Sequence, residues 1–143
     1  MRCVDVNILV NAHRQEASHH ERYRDWLDDA RHADEPLGLI PVVSSGFLRI
    51  VTHPRIFKEP TPLAQALAFI ETLRESPSTI PVIPGERHWD LFTGLCERVG
   101  ATGNIVPDAF LAALAIEQSA TWITADRGFA RFPGLRWQHP LDD

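Results

Sequence analysis

A chain of 143 residues, 44% of them hydrophobic and 23% charged, suits one compact domain whose core needs neither disulfides nor a structural metal. No apolar run approaches the roughly 20 residues that cross a bilayer, and Asp5 interrupts the apolar opening MRCVDVNILVNA; both points disfavour a membrane protein or a secretory leader, and the expected location is the cytoplasm. The net charge of −5, with Lys58 as the single lysine, disfavours a protein that coats nucleic acid with a broad basic face, but it permits a nuclease whose acidic site carries a metal.

Residues 2–6 (RCVDV) read as a short buried strand that ends at an acid. Over 18–33, Tyr23, Trp26, Leu27 and Ala30 recur at spacings of three and four, the pattern of an amphipathic helix. Residues 37–43 (LGLIPVV) read as a second strand and 44–52 (SSGFLRIVT) as a helix with serines to cap its start. A proline-punctuated loop, 53–60, leads to a helix over 62–75 that Ser76-Pro77 stops. A third strand follows at 79–83 (TIPVI). Residues 86–99 place Trp89, Phe92, Cys96 and Val99 on one helical face, expected to be core. The helix over 107–118 is apolar nearly all round and should be buried. ATWIT, 120–124, is a strand, followed by a turn and short helix at 126–132 and a last strand near 135–137. Strands that alternate with helices predict a single α/β domain over 1–143 with a central, mainly parallel sheet flanked by helices. Cys3 and Cys96 lie in separate elements and read as free thiols.

Three aspartates stand out by position. Asp5 ends the first strand, Asp126 follows the strand ATWIT, and Asp108 lies in the first turn of the buried helix. Ligands of open α/β sheets bind beyond the carboxyl ends of the strands, so these acids could share one pocket. Clustered carboxylates repel unless a cation or proton intervenes, and all-oxygen ligands suit Mg²⁺ or Mn²⁺. Such an ion activates water for phosphodiester hydrolysis. Each acid also has a purely structural reading: Asp126 as a helix cap, Asp108 as an anion favoured by the helix dipole, and Asp5 as a buried acid with a local partner.

The segments VDVNILVNA, FLRIVTHPRIF, NIVPDAFLAALAIE and TWITADRGFARFPGLRWQHPL, in that order from residue 2 to about residue 141, together resemble a PIN-domain toxin of the VapC family. The resemblance implies a PIN-like parallel-sheet fold, a Mg²⁺ or Mn²⁺ site and endonucleolytic cleavage of RNA. It assigns catalysis and metal binding to Asp5, Asp108 and Asp126, with Asn7, Asn104 and Thr124 as supporting polar residues. It also implies a VapB-like antitoxin as partner and a homodimer. Arg49 and Arg127 are the preferred contacts for RNA phosphates among Arg14, Arg49, Arg55, Arg127 and Arg131, which fall in segments around the site.

One position departs from the pattern. The family usually carries a Glu early in the helix after the second strand, and alignment on FLR puts Gly46 there, preceded by Ser44 and Ser45. That leaves open whether one or two metals bind, and it keeps a second reading alive: a catalytically weak or inactive domain that binds RNA or a partner. Glu117 is no obvious substitute, since nine residues past Asp108 is about half a turn out of phase. A third reading, a phosphatase with an aspartyl nucleophile, wants an acid two residues after the first, where Asn7 stands. The seven histidines show no zinc spacing such as HExxH, and nothing pairs His13 with His53 for a metal-free mechanism.

Overall fold

The computed structural model describes residues 1–142. Five short strands form one sheet in the order β3-β2-β1-β4-β5. They are β1 (Arg2–Val4), β2 (Leu37–Leu39), β3 (Thr79–Pro81), β4 (Thr121–Ile123) and β5 (Trp137–Gln138). Every pairing is parallel. Six helices connect and flank the sheet: α1 (Val6–His13), α2 (His20–Ala30), α3 (Pro41–Val51), α4 (Leu63–Arg74), α5 (His88–Val99) and α6 (Ile105–Glu117). A 3-10 turn at Arg127–Arg131 joins β4 to β5.

The central strand β1 is short because Asp5 ends it. Asp5 has extended backbone, and its carboxylate accepts a hydrogen bond from the Val6 N–H, which starts α1 at once. The strand expected over 2–6 therefore stops at Val4, and the stretch 6–13 is a helix that its even run of apolar residues did not announce. In the same way, the strand expected over 37–43 ends at Leu39. Pro41 occupies the first turn of α3, where its missing N–H costs nothing, so the helix begins before the serines rather than at them. The other elements lie within two residues of their expected ends, apart from α2, which stops at Ala30 rather than at 33.

The core lies between the sheet and both helical layers. Cys3 and Val4 of β1 meet Ile8 and Leu9 of α1, Phe47 and Val51 of α3, and Trp122 and Ile123 of β4, all essentially inaccessible. Gly38 of β2 pairs in register with Cys3, and a Cβ there would fall 2.6 Å from the Cys3 sulfur. The close approach of the two central strands thus requires glycine. The alanines of α6 (Ala109, Ala112, Ala113 and Ala115) are buried, as its all-round apolar character predicts, and their small size allows α5 to pack close. His88 of α5 bonds the Phe110 carbonyl at 2.9 Å across that contact. On α2, Tyr23, Leu27 and Ala30 are buried, while Trp26 is partly covered, with the Arg2 guanidinium 5.3 Å from its ring centre. The α5 stripe differs from expectation. Trp89 is 65% exposed and touches the molecule edge-on through Phe92, while the adjacent His88 takes the buried side of α5 against Phe110.

Candidate metal centre

Parallel pairing of β1 with β4 brings the carboxyl ends of the two strands side by side, and the Asp5 N–H donates to the Ile123 carbonyl at 2.9 Å. Asp5 is only 5% exposed. Its Oδ1 accepts the Val6 N–H at 2.7 Å. Its Oδ2 accepts the Thr124 hydroxyl at 2.7 Å and the Asn7 amide at 3.3 Å. The Thr124 hydroxyl also accepts the Asp126 N–H at 3.0 Å and the Asn7 amide at 3.3 Å, so its one donor and two lone pairs are all used. Asn7 Oδ1 accepts the Ala125 N–H at 3.0 Å. Asn7 and Thr124 therefore lash the end of β1 to the segment that carries Asp126.

Asp108 projects from the first turn of α6 and lines, with Asp5, a groove of about 720 Å³. Asn104, Ser45, Gly46 and Arg49 line the same groove, and Val42, Phe92 and Val106 supply part of its apolar wall. Asp126 is exposed at the start of the 3-10 turn. Its Oδ1 accepts the Gly128 N–H at 2.8 Å, so it does cap that turn.

Electrostatics ties the three acids together. Burial pushes the Asp5 carboxyl above its ordinary value, against the hydrogen bonds from Thr124 and Val6, and the charge of Asp126 adds to the rise. Asp108 is pushed up to about 6, first by burial, then by the charges of Asp126 and Asp5, with Arg131 opposing. Each acid thus feels another, although among the described residues no three Asp, Glu, His or Cys side chains converge as a ready-made ligand cage. The donor set fits a hard divalent cation of the Mg²⁺ kind, which keeps several waters and takes only one or two protein carboxylates directly. It does not resemble a closed zinc site.

The remaining candidates are distributed as follows. Arg127 does not face the groove; both its Nη atoms bond Asp142 at 3.0 Å, which occupies the fork expected to meet phosphate. Arg49 stays in the groove wall. Glu117 points away from Asp108, as its phase implies, and accepts the N–H groups of Gly85 and Arg87 at 2.7 and 3.0 Å. His13 meets Thr61 Oγ1 at 3.0 Å, and His53 accepts the Arg55 N–H within its own loop. One feature escaped sequence reasoning, the capping role of Asp5, which the Asp-Val-Asn order could have signalled had 6–13 been read as a helix. Arg131, expected near the site but not preferred there, stands beside Asp126 on the 3-10 turn.

Comparison with known proteins bears on the fold and the family. The model of the PIN domain family matches residues 2–135. Ribonuclease VapC43 of Mycobacterium tuberculosis is 51% identical over 142 residues, covering 99% of this chain and 97% of that protein. Ribonuclease VapC25 of the same organism is 40% identical over 137 residues, covering 96% of each. In three dimensions the fold is similar to a chain in the crystal structure of VapBC2 from Rickettsia felis bound to a DNA fragment from their promoter. That match has a TM-score of 0.70 and 19% identity, and it covers 96% of both chains. The chain belongs to the PIN-domain family, in its VapC branch.

Proposed function

We propose that this chain is the toxin of a toxin–antitoxin pair, a Mg²⁺- or Mn²⁺-dependent endoribonuclease that a VapB-like antitoxin restrains. The observation that carries the reading is the placement of Asp5 and Asp108 on one groove at the carboxyl edge of the parallel sheet, with Asp126 tied to Asp5 through Thr124. It is supported by 51% identity to a protein named as a ribonuclease.

A bound ion would supply an activated water and positive charge beside the phosphate. Asp5, Asp108 and Asp126 would hold it. The chain's own residues do the positioning. Asp5 is fixed by three donors, so little ordering remains when a ligand arrives. Asp108 stands half-buried in the groove wall, next to the open space where RNA would lie. Asp126 keeps Oδ1 on Gly128 and presents its other oxygen. Asn104 supplies an amide at the start of α6.

The second reading, a domain that binds without cutting, draws on Gly46, which lines the groove and offers no carboxylate. The phosphatase reading is weakened because Asn7 gives both ends of its amide to the fold and both Asp5 oxygens already accept hydrogen bonds. Cleavage of a mixed-sequence RNA with Mn²⁺, with and without chelator, separates these readings. Metal-dependent cleavage that Asp5→Asn, Asp108→Asn and Asp126→Asn each reduce sharply is the expected result. Binding without cleavage at any metal concentration would favour the second reading.

A further inference from the structure

Phosphodiester groups must approach an acidic site in a chain of net charge −5, so some cation of the protein has to offset that repulsion. The structure sorts the nearby arginines by what already occupies them. Arg14 is committed to Glu16, the Glu59 carbonyl, Thr61 and the face of Phe57. Arg127 is committed to Asp142. Arg49, Arg55 and Arg131 have no salt bridge among the described residues, and of these Arg131 stands beside Asp126. Its Nε donates to the Gly128 carbonyl at 2.8 Å, which fixes the stem, while the side chain as a whole remains exposed. Its Nη2 and the Asp126 Oδ1 each lie 2.9 Å from the point that a Cβ on Gly128 would occupy. The guanidinium and the Asp126 carboxylate are therefore near neighbours across the bare α-carbon of Gly128, yet among the described residues no salt bridge takes up the Arg131 charge.

We propose that Arg131 is a phosphate-binding residue of this site, which takes an RNA phosphate next to the scissile one through the Nη groups that the Gly128 carbonyl leaves free. The proposal rests on the nuclease reading above. A guanidinium with its stem pinned loses little further freedom on binding, and its planar fork suits a phosphate. Arg49 lines the groove with Asp5 and Asp108, whereas neither Asp126 nor Arg131 does. Arg49 thus belongs to the groove wall and Arg131 to the turn that carries Asp126. Pairing of Arg127 with Asp142 supports the choice of Arg131, since only one of the two arginines on this turn has its fork open.

The test compares wild type with Arg131→Gln, Arg131→Lys and Arg74→Gln. The last variant removes the same charge from a surface pair with Glu71 on α4. Two readouts are needed on the full chain. The first is single-turnover cleavage of a labelled, mixed-sequence single-stranded RNA in Mn²⁺. The second is anisotropy binding of the same RNA in an Asp108→Asn background, where cleavage is stopped. Arg131→Gln should raise the half-saturating RNA concentration, leave the rate at saturation and the Mn²⁺ requirement largely intact, and lower the slope of log affinity against log salt by about 1. Arg131→Lys should recover the salt slope but only part of the affinity, because a point charge replaces the fork. Arg74→Gln should match wild type. Failure of wild type to cleave, with binding and the Arg131 effect preserved, would sink the nuclease reading and leave this site standing. A salt slope and half-saturation in Arg131→Gln equal to those of Arg74→Gln would overturn the proposal. So would a change confined to melting temperature or metal requirement, since Arg131 would then be a counter-charge only.

Discussion

Thr124 is wholly buried and serves two acids at once, donating to Asp5 and accepting the N–H of Asp126. Thr124→Val keeps the shape and removes both bonds. It should destabilise the metal-free protein by about 1–3 kcal/mol, the usual cost of stranding a buried polar group, and Thr124→Ser should recover most of the loss in urea denaturation. A valine variant as stable as wild type would show that Asp5 does not depend on that hydroxyl. Asp108 supports a pH prediction. Its carboxyl titrates at about 6 in the fold, against an ordinary 3.8, and Asp5 is shifted in the same direction. Between roughly pH 4 and 6 the folded state therefore binds more protons than the unfolded chain, so this contribution to stability is present at low pH and is lost as pH rises through 6. Partial exposure of Asp108 screens the effect. Asp126→Asn removes one of the charges responsible but can still cap the 3-10 turn. The melting temperature of metal-free Asp126→Asn should gain on wild type as pH rises from 4 to 7, and millimolar Mg²⁺ at pH 7 should narrow that gap by stabilising wild type more. Parallel curves for the two proteins would mean that the carboxylates do not interact.

Among the elements, α3 carries the position most open to redesign. Gly46 lines the groove with Asp5 and Asp108, and a Cβ there would meet only Val6 Cγ2, at 3.6 Å, an ordinary contact. Gly46→Glu should therefore be accommodated and should lower the Mn²⁺ concentration for half-maximal cleavage, since a further charged oxygen strengthens the hold on a hard cation. Gly46→Gln shares the gain of about 1 kcal/mol from replacing glycine inside a helix and lacks the charge, so its metal dependence should equal that of wild type. Without metal the Glu variant should be less stable than the Gln variant, because its charge adds to the repulsion among the acids. Identical metal titrations for all three proteins would show that the side chain at 46 does not reach the ion. The extra helix α1 belongs to this scale as well. It positions Asn7 two residues past Asp5, so the support of the site and the start of the helix are the same few residues.

At the scale of the molecule, no helix among the described residues is long and apolar enough to cross a membrane, and the partner question concerns the helical faces. Tyr23 is buried, so an antitoxin on α2 would meet the exposed side of that helix rather than a Tyr23/Trp26 stripe. A shallow groove between α2 and α4, lined by Leu27, Phe69 and Leu73 with Arg24 and Arg31 at its rim, offers apolar contact with a charged border. A cognate antitoxin should suppress cleavage and slow hydrogen exchange across residues 18–52. Unchanged protection there, with inhibition retained, would move the contact elsewhere. The expected homodimer is a matter for the free chain's mass in solution.

Composition and periodicity were enough to determine the class of fold, the buried face of α2 and the all-round burial of α6, because those features repeat at the spacing of the element that carries them, whereas the three acids stood out by their places at strand and helix ends and by the family resemblance. They could not determine where β1 gives way to α1. Val6–His13 is apolar on several sides, and only packing against α2 and α3 selects helix over strand. Nor could they reveal that α5 turns His88 inward and Trp89 outward, since exposure depends on which side another element covers. The acids themselves were legible, but their coupling depends on the β1–β4 register, with Thr124 and Asn7 bridging two chain segments 117 residues apart. The choice between Arg127 and Arg131 was decided by tertiary structure alone. The two side chains have the same chemistry, and one is closed by Asp142 while the other stands beside Asp126 because the turn at Gly128 brings it there.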